Sequence, residues 1–124
     1  MKSFIQKSRA YFFLALFCSL ANLAEAQSPV LLKDINTNVE GTPTDMLTIG
    51  NTVFFSAIDP VLGRELWKTD GTLAGTVVVK DISIGPLSSS PTQFCNLNGT
   101  LFFAATGPEG RELWKSDGTP EGTK

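Results

Sequence analysis

The sequence predicts an all-β protein made of four-stranded antiparallel blades, β-propeller-like and incomplete in this chain. Three observations lead there. First, a block repeats: residues 63–72 read Gly-Arg-Glu-Leu-Trp-Lys-Thr-Asp-Gly-Thr and return at 110–119 with Ser116 in place of Thr69 as the one change. Second, apolar segments of strand length are separated by turn residues, and no 3.6-residue apolar period is sustained after residue 27. Third, the strand centres carry adjacent apolar pairs, Phe54-Phe55, Leu66-Trp67, Phe102-Phe103 and Leu113-Trp114. Neighbouring residues of a strand point to opposite faces, so each small sheet needs cover on both sides. Repeats of about 40–50 residues that cover one another in this way describe propeller blades.

The 124 residues bound the chain to about one domain, at a formal charge of −2 with no histidine. The absent imidazole removes the common Ser-His and Cys-His nucleophile pairs and most zinc sites. No basic excess exists to hold a phosphate backbone, so no nucleic-acid partner is expected. Residues 1–26 read as a signal peptide. Lys2, Lys7 and Arg9 precede an apolar run from Ala10 to Leu23, and Ala24-Glu25-Ala26 offers a small-x-small exit. The apolar run falls short of the about 20 residues that span a bilayer. Phe17 before Cys18 is too bulky for a lipoprotein site. Export to the cell surface or medium is the expected fate, with no membrane span in the mature chain. After cleavage at Ala26, 7 Lys+Arg stand against 11 Asp+Glu, and Cys95 is the remaining cysteine, so no internal disulfide is available.

The elements follow in order. Residues 27–35 hold an N-terminal strand, Val30 to Ile35, in which Lys33-Asp34-Ile35 matches Lys80-Asp81-Ile82 at the same offset of 47. Residues 36–82 form the first repeat, with strands at Met46–Ile49, Thr52–Ile58, Arg64–Thr69 and Thr76–Ile82. Residues 83–124 form the second, with strands at Phe94–Leu97, Thr100–Thr106 and Arg111–Ser116. Gly50-Asn51 and Asn98-Gly99 make the first hairpin turns, Asp59-Pro60 and Gly107-Pro108 the second, and Asp70-Gly71 and Asp117-Gly118 the third. The second repeat stops before its fourth strand, so the array is expected to continue. Val30 to Ile35 is expected to close a ring by completing the sheet of its last blade.

The segments Glu65-Leu66-Trp67-Lys68-Thr69-Asp70-Gly71-Thr72 and Glu112-Leu113-Trp114-Lys115-Ser116-Asp117-Gly118-Thr119 resemble the bacterial repeat family known for its E-L-W-x-x-D-G-T motif. The paired Phe residues, the Asn-Gly turn and the trailing Gly-Thr fit as well. The resemblance spans residues 30–124 in two copies. It implies a long secreted or surface protein, some relatives carrying the label hyalin, with a propeller-like array. It implies no reaction and no catalytic residue.

Each chemically suggestive residue has a plainer role. Asp70 and Asp117 stand alone in their loops, whereas calcium loops alternate several oxygen ligands, so both are expected to be turn formers. Arg64-Glu65 and Arg111-Glu112 are each expected to pair with a neighbour on an adjacent strand or blade rather than to form a catalytic carboxylate couple. Trp67 and Trp114 are expected as core anchors between blades. Cys95 aligns with Leu47 and is expected to be a small buried apolar residue. Asn98-Gly99-Thr100 fits the glycosylation pattern but is first a hairpin turn. Ser88 to Ser90 is expected to lie in the loop between repeats. No catalytic, cofactor-binding or metal residue is assigned. The expected function is a non-enzymatic exported scaffold for adhesion or recognition of an extracellular protein or glycan. The alternative is a piece of a carbohydrate-active or calcium-binding propeller whose functional residues lie beyond Lys124.

Overall fold

The computed structural model describes residues 29–38 and 40–124, so the expected signal peptide lies outside the described residues. Seven strands follow in order: β1 (Thr44–Ile49), β2 (Thr52–Asp59), β3 (Gly63–Thr69), β4 (Val77–Lys80), β5 (Thr92–Leu97), β6 (Thr100–Gly107) and β7 (Gly110–Ser116). They form two antiparallel meanders, β1-β2-β3-β4 and β5-β6-β7, with no helix among the described residues. The registers repeat: Phe55 sits opposite Trp67 in the first sheet and Phe103 opposite Trp114 in the second.

Turn chemistry sets the strand ends. Asn98 and Gly99 both take positive φ, at 51° and 84°, which matches the hairpin turn to the strand twist. Asp59 Oδ1 accepts the amides of Val61 at 2.7 Å and Leu62 at 3.0 Å, closing the β2–β3 turn. An irregularity that sequence reading missed recurs at the start of each sheet. Thr42 and Asp45 take positive φ, and so do Ser90 and Gln93, one repeat on. The pairing of β1 with β2 and of β5 with β6 shifts register there. Such a bulge re-aims the strand.

Two apolar clusters hold the structure. One lies between the sheets: Phe54, Leu66, Val79 and Ile82 from the first repeat meet Leu101, Phe103 and Ala105 from the second, with Phe94 edge-on to Phe103 at 5.9 Å. The other lies on the opposite face of the first sheet, where Phe55, Ala57 and Trp67 pack with Val78 under Ile35. The first sheet is thus covered on both faces, as its paired apolar residues require.

The second sheet is covered on one face only, contrary to expectation. Leu113 is 75% exposed, whereas its counterpart Leu66 is 0% exposed. Cys95 corrects a second expectation for the same reason: it is exposed, opposite Phe102 on the uncovered face. Leu47, its counterpart, is half-buried because the second sheet lies over it. A third correction concerns Val30 to Ile35, which is not a strand. Among the described residues no sheet edge runs beside it, and a strand needs a partner for its backbone groups. The fourth strand is also shorter than expected, ending at Lys80, because the Ile82 amide turns to a side-chain acceptor at Glu65.

Bonds across the repeats recur at constant spacing. Lys33 Nζ donates to Thr76 O at 2.7 Å, and Lys80 Nζ to Thr123 O at 2.8 Å. Residues 33–35 therefore lie on the first repeat much as the end of β4 lies on the second. The Lys33 ammonium also sits 5.6 Å from the Trp67 ring centre, a cation–π distance. Lys68 Nζ reaches Gly118 O at 2.7 Å, and Gln93 N donates to Asp45 Oδ1 at 3.3 Å.

Glycine at the start of β3 carries two constraints. Gly63 has φ 71°, and a Cβ there would meet Leu87 O at 2.8 Å and Pro86 O at 2.9 Å. Gly110, at the matching place with φ 111°, would meet nothing within 4 Å. Gly63→Ala is therefore expected to destabilise more than Gly110→Ala, by about 1 kcal/mol or more from overpacking alone. Urea midpoints of the two variants measure the difference, and equal midpoints would contradict it.

Candidate functional site

The most repeated residues of the chain converge on the loop after β3. Asp70 Oδ1 accepts Thr72 N at 2.9 Å and Thr72 Oγ1 at 2.7 Å. Asp117 Oδ1 accepts Thr119 N at 2.8 Å and Thr119 Oγ1 at 2.7 Å. Gly71 and Gly118 supply φ near 90° in the turn. The Thr72 hydroxyl then receives Gly75 N at 2.9 Å, and the Thr76 hydroxyl donates to Thr72 O at 2.7 Å. Thr76 also touches Thr69 Oγ1 at 2.8 Å, and Thr123 touches Ser116 Oγ at the same distance. Ser116 thus does the work of Thr69, which explains the single substitution in the repeated block.

The trailing glycines have a steric reason. A Cβ on Gly75 would overlap the Asp70 carboxylate, and one on Gly122 would overlap that of Asp117. Every shared residue of the pattern Asp-Gly-Thr-x-x-Gly-Thr is thus used to close the loop on itself. Both aspartates are exposed. The threonine hydroxyl bond, then the threonine amide, hold each carboxyl below its ordinary value. The sign follows: the bonds act above the usual aspartate range and are lost as pH falls through the lowered value. Asp70→Ala is expected to speed amide exchange at Thr72 while leaving Thr119 unchanged. Unaltered exchange at Thr72 would show that the carboxylate does not hold the turn.

An open cleft of about 360 Å³ borders this loop, lined by Thr52, Lys68, Thr69, Asp70, Ala74, Gly75 and Val77. Its cation is already engaged with Gly118 O. Among the described residues, no three acidic or cysteine side chains gather as a metal site would need.

Arg64, Arg111 and Glu65 find partners on neighbouring strands and loops. Arg64 Nη1 donates to Thr42 O at 3.0 Å and Nη2 to Thr42 Oγ1 at 2.6 Å. Arg111 Nη1 donates to Ser90 O at 3.3 Å and Nη2 to Thr92 Oγ1 at 2.5 Å. Both guanidinium groups thus brace the bulge at the sheet entry through neutral oxygens. Glu65 is fully buried and also has neutral partners. Its Oε2 accepts Ile82 N at 3.1 Å and Ser89 Oγ at 2.6 Å, and its Oε1 accepts Ser89 N at 3.0 Å. Burial raises the carboxyl above its ordinary value, and the three bonds offset part of that rise. Glu112, its counterpart, is exposed. Sequence reading missed the role of Glu65 because backbone amides leave no mark in a sequence.

The two tryptophans differ in setting. Trp67 is buried and stacked on Phe55 at 6.5 Å, while Trp114 is half-buried against the cluster between the sheets. Neither indole N–H has a partner. Asn98-Gly99 is a hairpin turn, with Gly99 N donating to Asn96 Oδ1 at 2.9 Å. The loop between repeats contains Ser88 to Ser90, as expected, with Ser88 Oγ accepting Arg64 N at 2.9 Å.

Fold and loops together define the class: an all-β protein of repeated antiparallel sheets, joined by lysine and loop bonds that recur from one repeat to the next. No family model, curated protein or solved structure matches the chain.

Proposed function

We propose that this chain is an exported, non-enzymatic repeat scaffold that presents its loops to an extracellular protein or glycan. Its sheets act as blades of a propeller-like array of the E-L-W-x-x-D-G-T type. One observation carries the reading: the shared Asp-Gly-Thr-x-x-Gly-Thr residues are consumed in closing their loop on itself, while exposed loop tips differ between the repeats. Val61 projects from the β2–β3 turn where the second repeat has Glu109, and Leu73 from the β3–β4 loop where it has Pro120. Ile84 and Leu87 add two further exposed apolar side chains in the loop between the sheets. A constant frame with varied apolar tips suits recognition, since function resides in sites placed on a fold. The blade reading is supported by the stacking of one sheet's Phe54-Leu66 face on the next sheet's Phe103-Trp114 face. Export rests on the basic start, apolar run and Ala24-Glu25-Ala26 exit.

Beads coated with the exported chain test this reading. Saturable binding to at least one member of a panel of immobilised glycans and extracellular proteins is expected. Replacing Val61 and Leu73 by Asp should abolish that binding without moving Tm. Turnover of a polysaccharide, or binding indifferent to these substitutions, would overturn it.

A further inference from the structure

The hairpin between β5 and β6 carries a chemistry that its counterpart in the first repeat lacks. Asn98 is the one asparagine of the chain followed by glycine; the others precede Leu, Thr or Val, whose side chains crowd the following amide. At an offset of 48 the first repeat reads Gly50-Asn51-Thr52, with the two turn residues exchanged. Asn98 is exposed and takes φ 51°, and a Cβ on Gly99 would meet nothing within 4 Å. A carboxamide and the amide that follows it thus stand uncrowded at a tip in water. One contact restrains them: Gly99 N donates to Asn96 Oδ1 at 2.9 Å. Asn96 falls where the first repeat has Thr48, so the contact accompanies the Asn-Gly order.

We propose that Asn98 is a site of spontaneous deamidation and that Asn96 is the positioning residue that sets its rate. The Gly99 nitrogen gives up its proton and bonds to Asn98 Cγ, and the Cγ–Nδ2 bond breaks, so that ammonia leaves with that proton. A five-membered imide remains. One water molecule opens it at either carbonyl, leaving aspartate or isoaspartate at position 98, and nothing is oxidised or reduced. The first step requires a free Gly99 N–H. While Asn96 Oδ1 accepts that hydrogen, the proton is not released and the nitrogen does not attack. Asn96 is exposed, so the bond opens through local fluctuation, and the reaction is slowed rather than stopped.

The products act on the hairpin itself. Isoaspartate puts an extra methylene into the main chain of a two-residue turn, and the length of that turn fixes Leu97 opposite Thr100. Either product places a negative charge on a neutral tip. Deamidation therefore frays the β5–β6 end and leaves the β1–β2 hairpin as it was. The inference rests neither on the array reading nor on what the loops bind.

Incubation of the full chain at neutral pH, followed by peptide mapping by mass and detection of isoaspartate, tests it. Position 98 should gain the mass of an amide exchanged for an acid ahead of every other asparagine. Asn96→Ala should speed that conversion about 2–10-fold, the factor that losing one neutral hydrogen bond allows. Asn96→Asp keeps an acceptor for the Gly99 amide and should stay near the parental rate, which separates the bond from a general loosening of the hairpin. Conversion led by another asparagine, no conversion at position 98 in any of the three chains, an Asn96→Ala rate equal to the parent's, or an Asn96→Asp rate equal to that of Asn96→Ala would each overturn the proposal.

Discussion

Leu66→Ala is expected to lower the unfolding free energy by about 2–5 kcal/mol, the usual range for truncating a buried leucine. Leu113→Ala, at the same place in the repeated block, is expected to change it by less than about 0.5 kcal/mol. The two residues share sequence context, strand and register: Leu66 faces Ser56, and Leu113 faces Ala104. What differs is the cover. Leu66 is 0% exposed under Leu101, Phe103 and Ala105, so its loss leaves a cavity that close-packed neighbours refill only in part. Leu113 is largely in water, and its truncation removes little burial. Urea midpoints of the two variants measure both. Equal losses would mean that the two faces are equally covered in solution.

Much of this fold was legible before any coordinates. Strand positions followed from turn residues whose geometry is local: Asn98-Gly99 sets a hairpin whatever lies around it, and Asp70-Gly71-Thr72 closes on itself. The apolar pairs correctly demanded a sheet covered on both faces, and the first sheet is so covered. Local signals could not say which copy is covered and which is not. Cys95 and Leu113 sit on positions that read as interior, yet burial depends on whether another sheet arrives. The Val30 to Ile35 segment failed as a strand for a related reason. Its residues match those of a strand, but strand structure requires an edge to pair with. The Arg-Glu pairs read as structural, but their actual partners, backbone groups and hydroxyls distant in the chain, could not be named from local sequence. Sequence identity between repeats located the important residues but did not reveal which bonds they make.

Glu65 offers the second large effect. Glu65→Ala is expected to cost about 2–4 kcal/mol, because it leaves the Ile82 and Ser89 amides without an acceptor and opens a space in a buried loop seat. Glu112→Ala should stay within about 0.5 kcal/mol, since Glu112 is exposed. The pH dependence separates burial from simple packing. Burial raises the folded Glu65 carboxyl above its unfolded value, so the folded state holds the proton more tightly. Its favourable contribution is complete below the unfolded glutamate value of about 4.3. That contribution is lost as pH rises through the raised folded value. Glu65→Gln does not titrate there, so subtracting its stability from that of the parent chain cancels the other acids. The difference is expected to move against the parent chain as pH rises from below that range toward neutrality. A flat difference would show that the carboxylate is solvated in the folded chain. A difference moving the other way would show that the amides of Ile82 and Ser89 and the Ser89 hydroxyl outweigh burial and hold Glu65 ionised.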